Sequence, residues 1–432
     1  MTRHAECHSW RFIVYGFLFV VVFAAFVATA YADQYGNDFD LLVADICSDH
    51  DYANCSDPIL DSDGDGVNDD VDLCDDTPPP IVVDATGCEV VVPPTGHILT
   101  TAPQNEWIRI PNTKASNVLP PESFAAPVTY PNTAKTSAGG IIGAWSGMAF
   151  SESRQEMRGV AGGGHADYCG NQDIGFNFDI LGWTLHRGPT TDFSGWSSSD
   201  PVVMHADGNP NSSHTYNGTI FNEAKGEYLL MPGSLCSGSG RGSSARFAVN
   251  PDGTATHKGG GTSWALGWQL AYDTDDSIIY AIRQGIMYTV GDDYSLNKVV
   301  PTWGTLSGHI HNGVAMDSAR NKILLVGTDR AREFDPIAKT RTSIADLLPP
   351  ELVACYGPGL TFAASLDKYI GWCGGDLYLI DPVDYSYTTQ AVTGTHPVKT
   401  NRGVYGRFAW NEKYGGVVMV DGIDTDVAFL KF

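Results

Sequence analysis

From residue 143 to the C-terminus, short apolar segments alternate with polar turns in a pattern that recurs six times. Each unit has an apolar segment, a turn of mainly Asp, Asn, Ser, Glu and Lys, and a second apolar segment that ends near glycine. Most units continue into a third apolar segment. This alternation is typical of antiparallel β-strands joined by tight turns. The six units begin at Gly143, His214, Gly267, His311, Gly357 and Gly403.

The repeat length and the strand order indicate one architecture. Units of about 40 to 50 residues with several short strands predict the blades of a β-propeller, as in kelch-type proteins. With 48 glycines and 24 prolines among 432 residues, the composition also favours strands and turns. We therefore expect an all-β protein with a six- or seven-bladed propeller. Residues 96–140 would form a seventh blade or close the ring, and the alternatives are a β-helix and a β-sandwich.

The first 32 residues have the features of a secretory signal peptide. Arg3 and Arg11 accompany an apolar run, Phe12–Ala28, which is followed by the small-residue cleavage pattern Ala30-Tyr31-Ala32. We therefore expect a secreted protein that begins near Asp33. The apolar run is nearly long enough to cross a bilayer, so an uncleaved membrane anchor is the alternative.

Eight cysteines follow the predicted signal peptide, and an even number in an exported protein permits disulfides. Four precede the propeller and are expected to pair locally: Cys47, Cys55, Cys74 and Cys88. The other four lie in the β-rich region, where each is a buried thiol, half of a disulfide or a metal ligand: Cys169, Cys236, Cys355 and Cys373.

Negative charge is concentrated before the propeller. The formal net charge is −24, and no Lys or Arg occurs between Asp33 and Trp107. Four aspartates there have the spacing of ligands in a calcium-binding loop, and Gly66 permits its sharp turn. They are Asp61, Asp63, Asp65 and Asp72.

Residues 57–78 resemble a thrombospondin type 3 repeat, which also has a cysteine near Cys74 and a proline near Pro78. The resemblance implies structural calcium in a rigid spacer, and the alternative is an acidic linker without calcium. Proline-rich stretches then separate this spacer, residues 33–95, from the propeller at 96–432.

Propeller topology places the loops between second and third strands on the same face as the connections between blades. Functional residues often lie in such loops. The residues predicted there are mainly cationic and aromatic, although a histidine at a strand start can also be a structural wedge between blades. They are His165, His186, His214, Tyr216, Arg241, Arg246, Arg283, Tyr288, His309, His311, Arg330 and Arg332. Asp167 is expected to orient His165.

This set of side chains suits cleavage of a uronic-acid polysaccharide by β-elimination. That reaction needs cations that neutralise the uronate carboxylate, a base for the C5 proton and an acid for the leaving oxygen. A glycoside hydrolase would instead need two facing carboxylates, and no convincing pair occurs in the predicted loops.

The region 96–432 resembles the ulvan lyases, polysaccharide lyases with seven-bladed propellers. The resemblance rests on GGGHADY at 162–168 and on the order of His186, Arg246 and Tyr288 that follow. It implies that His165 and Arg246 engage the carboxylate, that Tyr216 or Tyr288 is base and acid, and that His186 assists.

Further residues are expected to bind substrate or metal. His214, Arg283 and His311 are candidate substrate-binding residues. Some ulvan lyases carry a structural zinc ion, and the candidate ligands here are His214, Cys236, His309 and His311.

The expected partner is an anionic polysaccharide, and we expect a monomer that binds neither nucleic acid nor, after signal cleavage, a membrane. The net negative charge opposes a polyanionic substrate at long range, but salt screens this repulsion. Two other functions stay open. One is a copper radical oxidase of the galactose-oxidase kind, suggested by Tyr288, His309 and His311. The other is a glycan-binding propeller without catalytic activity.

Overall fold

A computed structural model describes residues 96–432, apart from 124–137, 166, 191, 198, 238–240, 264–266 and 300–308. The predicted signal peptide (1–32), the spacer (33–95) and the calcium ligands Asp61, Asp63, Asp65 and Asp72 lie outside the described residues. Six sheets are arranged as the blades of a β-propeller. The predicted all-β propeller is therefore confirmed, and it has six blades where the ulvan lyase resemblance implied seven.

The first five blades are four-stranded antiparallel sheets in which the chain runs outward from the central axis. The strands of blade 1 are Ala149–Ser151, Glu156–Val160, Asp173–Asn177 and Gly182–Arg187, and those of blade 2 are Thr219–Asn222, Glu227–Leu230, Phe247–Val249 and Ala255–His257. The strands of blade 3 are Gln269–Asp273, Ile278–Arg283, Ile286–Val290 and Leu296–Lys298, and those of blade 4 are Gly313–Asp317, Lys322–Val326, Ala331–Asp335 and Thr340–Ser343. The strands of blade 5 are Gly359–Ala363, Lys368–Trp372, Leu377–Ile380 and Tyr387–Gln390.

Blade 6 joins the two ends of the described chain. Its strands Phe408–Asn411, Gly416–Met419 and Ala428–Lys431 continue into Glu106–Arg109, which pairs antiparallel with the last of them. The short strand Thr393–Gly394 completes the sheet in parallel. Of the two roles predicted for residues 96–140, closing the ring is therefore the observed one, and it removes the exposed edges that an open sheet would have.

The second strand of each blade is covered on both faces by its neighbours, whereas the fourth strand is partly exposed. Glu156–Val160 is buried throughout, for example, and Gly182–Arg187 is only partly buried. Apolar side chains of adjacent blades interlock in the intervening space. Between blades 5 and 6, Trp372 stacks on Phe408, and Trp107 of the closing strand packs against Trp372.

The remaining elements are short and mostly connect blades. Helices span Ile98–Thr101, Gly140–Gly143 and Pro350–Ala354; 3-10 turns span Ala115–Val118, Pro121–Ser123, His309–His311, Ala345–Leu347, Ala364–Leu366 and Tyr405–Arg407; two-residue strands pair Ser213–His214 with Ser234–Leu235 and Gly242–Ser243 with Thr262–Ser263. No helix of the described residues is long and apolar enough to span a membrane.

The two faces of the ring differ. The turn face carries the tight turns between first and second strands, which link each blade to the next around the ring. The links are Glu152 N to Glu223, Ala224 N to Tyr272, Thr274 N to Ser318, Arg320 to Asp367, Ala364 N to Glu412, and Lys413 N to Glu152. The opposite face, called the site face below, carries the longer loops and the connections between blades.

Two disulfides brace the site face. Cys169 pairs with Cys236 and joins the second-to-third-strand loops of blades 1 and 2. Cys355 pairs with Cys373 and joins the connection before blade 5 to a loop of that blade. Of the three states that the sequence left open for these cysteines, the disulfide is the observed one, and it is the state expected in an oxidising compartment.

Candidate functional site

Aromatic and imidazole side chains meet on the site face, where the inner strands of five blades begin. Five of these side chains lie a few residues before an inner strand, one for each of five blades: Trp145, Tyr216, His311, Tyr356 and Tyr405. We call these five residues and His214 the axial cluster, because their rings contact one another.

Backbone conformation explains why these rings lie close together. Trp145, Tyr216 and Tyr405 have positive φ angles of 51°, 50° and 52°, which turn the chain just before the inner strand starts. A glycine follows one or two residues later. A Cβ atom on Gly147 would lie 1.7 Å from the carbonyl oxygen of Tyr216, and one on Gly406 would lie 2.0 Å from that of Met148. Only glycine lets adjacent inner strands approach this closely.

A carboxylate, an imidazole and a phenol form the first part of the site. Oδ2 of Asp167 lies 3.0 Å from Nε2 of His214, and Nδ1 of His214 lies 3.5 Å from the hydroxyl of Tyr216. Because the carboxylate accepts a hydrogen bond, the proton of neutral His214 resides on Nε2, and Nδ1 presents a lone pair to Tyr216. The arrangement is suited to moving the phenolic proton onto His214.

Burial and neighbouring charges together set the resting protonation of these three groups. Burial raises the pKa of Tyr216 to about 12, and it lowers the pKa of His214 despite the hydrogen bond to Asp167. Burial by itself would raise the pKa of Asp167. The hydrogen bonds and charges of His214 and Arg402 outweigh burial, so the pKa of this carboxyl group is lowered. The resting site therefore holds a neutral phenol, a neutral imidazole and a carboxylate.

Arg402 lies on the open side of this group. Its Nη1 donates to Oδ1 of Asp167 at 2.6 Å, and its guanidinium carbon lies 4.8 Å from the ring centroid of Trp145. The Trp145 ring in turn lies 4.8 Å from that of His214. With 37% of its side chain exposed, Arg402 is accessible to an anionic ligand.

His165 borders the same group. Its ring lies 6.4 Å from that of His214 in an edge-on arrangement, and its Nδ1 lies 3.0 Å from the carbonyl oxygen of Ser237. Since a carbonyl only accepts, Nδ1 carries a proton and Nε2 remains for other chemistry. The expectation that Asp167 orients His165 is wrong, because Ser237 holds His165 and Asp167 contacts His214 and Arg402.

A second hydrogen-bonded chain passes through His311. Nε1 of Trp145 donates to the hydroxyl of Tyr356 at 2.9 Å, and that hydroxyl lies 2.8 Å from Nε2 of His311. Nδ1 of His311 lies 2.9 Å from the hydroxyl of Tyr405. The rings of His311 and Tyr356 stack at 4.2 Å. Burial, with a smaller effect of His214, lowers the pKa of His311 to about 4.

Four of the predicted site residues therefore come together: His165, His214, Tyr216 and His311. His186 lies elsewhere, on the outer strand of blade 1, where Nε2 contacts Glu156 at 2.6 Å. Glu156 also accepts from Tyr228 of blade 2 at 2.9 Å. This contact network connects two blades.

Arg246, Arg283 and Tyr288 lie on blades 2 and 3. The Arg283 guanidinium covers the Trp268 ring at 4.6 Å and donates to Ser263, and Tyr288 packs edge-on against Trp268. Burial lowers the pKa of Arg283 to about 10. Arg246 donates to the carbonyl of Lys258 at 3.5 Å. Their roles in binding or catalysis stay predictions.

The proposed zinc ligands do not fit together as a zinc site. Cys236 is bonded to Cys169 and cannot supply a thiolate. His214 and His311 have the contacts given above, and only the backbone of His309 is described. Among the described residues, no group of three or more His, Cys, Asp or Glu side chains could hold a metal ion.

Sequence reasoning missed Trp145, Tyr356, Arg402 and Tyr405. A signal for three of them is present in the repeats, because an aromatic residue or His precedes glycine at the start of most units. The strings are WSG at 145, YNG at 216, HNG at 311, YG at 356 and YG at 405. Aligning the units on these glycines would have placed the rings together. Arg402 has no comparable repeat signal.

No protein-family model matches the chain, and no curated protein matches it. Among solved structures, it is similar to an auxiliary nutrient binding protein from Bacteroides thetaiotaomicron, with a TM-score of 0.41, 8% identity and coverage of 67% of this chain and 68% of that one. It is also similar to the exo-β-1,3-galactanase of Phanerochaete chrysosporium with galactose, with a TM-score of 0.38, 12% identity and coverage of 57% and 62%. A nidogen/laminin complex aligns with a TM-score of 0.38 and 12% identity over 60% of this chain and 84% of that one. At these values the similarities assign no function.

Proposed function

We propose that this protein is a secreted polysaccharide lyase that cleaves a uronic-acid polymer, of the ulvan type, by β-elimination. The observation that carries the proposal is the chain Asp167–His214–Tyr216, with Arg402 and His165 beside it on the site face. The disulfides support export, as does the signal-like sequence at residues 1–32. The acidic spacer is proposed to bind structural calcium.

Tyr216 is proposed to act as base and then as acid. As the uronate C5 proton approaches, His214 takes the phenolic proton on Nδ1, and the resulting imidazolium is stabilised by Asp167 through Nε2. The phenolate removes the C5 proton, an electron pair forms the C4–C5 double bond, and the C4–oxygen bond breaks. The tyrosine hydroxyl formed in this way donates that proton to the departing oxygen, and the His214 imidazolium then returns the phenolic proton to Tyr216, which restores the resting site.

Arg402 is proposed to bind the uronate carboxylate, and His165 is proposed to join it as the imidazolium, which donates through Nε2 while Nδ1 donates to Ser237. Removing the C5 proton places negative charge on that carboxylate in the transition state, so nearby cationic donors lower the barrier. The resemblance to ulvan lyases implied that His165 and Arg246 have this task. Arg402 replaces Arg246 in the proposal because its guanidinium contacts Asp167 directly.

The test is incubation of purified protein with a panel of uronate polysaccharides, sulfated and unsulfated, read by the ultraviolet absorbance of unsaturated chain ends. We expect Tyr216→Phe to reduce kcat by about 100-fold or more, since a general acid or base contributes that much. Arg402→Ala should have a comparable effect. The matched controls are Tyr387→Phe, an exposed tyrosine of blade 5, and Arg154→Ala, whose side chain is also 37% exposed but lies on the turn face.

Failure to form unsaturated ends on any polymer would refute the lyase proposal, and full activity of Tyr216→Phe would refute the site. Retention of a polymer without cleavage would support the glycan-binding alternative. The galactose-oxidase alternative requires a cysteine bonded to a tyrosine, and the four cysteines of the described residues are paired with one another.

A further inference from the structure

In the hydrogen-bonded chain through His311, the donor of each bond follows from which groups can donate and which can accept. An indole N–H only donates, so Tyr356 accepts from Trp145. The Tyr356 hydroxyl still has one proton to donate, and Nε2 of His311 lies 2.8 Å from it. If Nε2 accepts that proton, neutral His311 carries its own proton on Nδ1. It then donates to the Tyr405 hydroxyl 2.9 Å away.

We propose that His311 is a positioning residue, held as the neutral Nδ1–H tautomer, that transmits the hydrogen-bond direction from Trp145 and Tyr356 to Tyr405 and so fixes the rings against which Tyr216 packs. The kinetic part of this inference rests on the proposed function, in which Tyr216 is the base. The tautomer itself does not depend on the reaction.

The surroundings of His311 favour the neutral ring. The groups that face it are the hydroxyl groups of Tyr356 and Tyr405, the ring of Tyr216 and, further away, His214. None of these four is a carboxylate that could stabilise an imidazolium. Burial lowers the pKa of His311 to about 4, in agreement with the geometry.

Contacts of Tyr216 explain why the position of His311 matters. The Tyr216 ring packs edge-on against His311 at 5.5 Å between centroids, and against Tyr405 at 5.6 Å. Tyr216 is 4% exposed, so these rings define where its hydroxyl lies relative to His214. Since a small misplacement of a reacting group can cost about 100-fold in rate, the ring contacts influence catalysis without touching substrate.

The first test is nuclear magnetic resonance of the full protein with 15N-labelled histidine, with His311→Gln used to assign the signal. We expect a protonated Nδ1 and an unprotonated Nε2 at pH 7, without change down to about pH 5. Protonation of Nε2 at pH 7, or of both nitrogens, would overturn the proposal. This readout needs no substrate, so it remains decisive even if the protein cleaves no polymer.

The second test is Tyr356→Phe, which keeps a ring in the stack but removes the hydroxyl that donates to Nε2. We expect the tautomer preference to weaken and kcat to fall by roughly 10- to 100-fold with KM nearly unchanged. Tyr387→Phe is the matched control and should change neither. If Tyr356→Phe leaves both the tautomer and kcat unchanged while Tyr216→Phe abolishes activity, His311 has no positioning role and the proposed function still stands.

Discussion

At the residue scale, His186 shows how one side chain can match a catalytic pattern and make structural contacts. Its Nε2 lies against Glu156, which also receives a hydrogen bond from Tyr228 and an ion pair from Arg154. Burial opposes ionisation of Glu156, but His186 and Arg158 outweigh it and lower the pKa of Glu156 to about 2. The carboxylate thus joins blades 1 and 2.

Glu156→Gln is expected to lower the free energy of unfolding at neutral pH by about 1–3 kcal/mol, because buried donors would lose a charged acceptor. The pKa of Glu156 is 4.5 when unfolded and about 2 when folded, so its contribution is complete above pH 4.5 and is lost as pH falls toward 2. Urea unfolding between pH 3 and 7 should therefore show a flatter pH dependence in the variant. An unchanged slope would contradict this account.

Residue types alone predicted part of the site. His214, Tyr216 and His311 were recognised because histidine and tyrosine stand out in the motifs that open the repeats, and His165 because it follows the glycine run at 162–164. Asp167 was noticed but given the wrong partner, since His165 is its near neighbour in the sequence whereas His214 is 47 positions away and comes close only on folding. Arg402 was missed because it is 235 positions from Asp167, and only ring closure brings the two together.

At the element scale, the beginning of each inner strand determines where the axial cluster lies. The left-handed residue and the following glycine turn the chain and let neighbouring inner strands approach. The backbone of these turns therefore brings the tyrosines and histidines together around the axis, where their hydrogen bonds and ring contacts then form. The same geometry explains why aromatic residues recur at this position.

Gly147→Ala is expected to destabilise the protein by about 1–3 kcal/mol, because its Cβ would collide with backbone rather than with a flexible side chain. It should also displace Tyr216, whose carbonyl oxygen is the atom that the Cβ would meet, and so lower lyase activity. The matched control is Gly143→Ala, where a Cβ would meet nothing within 4 Å. Thermal unfolding and initial rates of the two variants would decide, and equal behaviour would argue against the close-approach explanation.

At the scale of the whole molecule, ring closure and charge distribution determine what the site can bind. The inner strands surround a channel of about 470 Å³ whose lining includes Glu152, Glu223, Asp275 and Glu412 at the turn face. The inner strands separate the turn face from the site face, and a five-residue strand such as Gly313–Asp317 is about 16 Å long. This separation exceeds the Debye length, which is about 8 Å at physiological salt. These carboxylates are therefore largely screened from a polyanion on the site face.

Trp107→Ala tests the closing strand. Trp107 is 1% exposed and packs against Trp372, so its truncation should cost about 3–5 kcal/mol. Because the strand also covers the edge of Ala428–Lys431, we expect a lower Tm together with increased aggregation. Thermal unfolding with light scattering would measure both. A variant that melts at the wild-type temperature would show that the strand does not hold the ring closed.

The amino-acid sequence by itself determined the β-propeller and its strand order, because apolar segments separated by turn residues are local features that repeat along the chain. It also placed His214, Tyr216 and His311 at the starts of strands. Tertiary structure alone decided the number of blades, the disulfide pairing, and which arginine lies beside Asp167. Those features depend on contacts between residues far apart in the chain, where closure of the ring, rather than any local pattern, selects the partners.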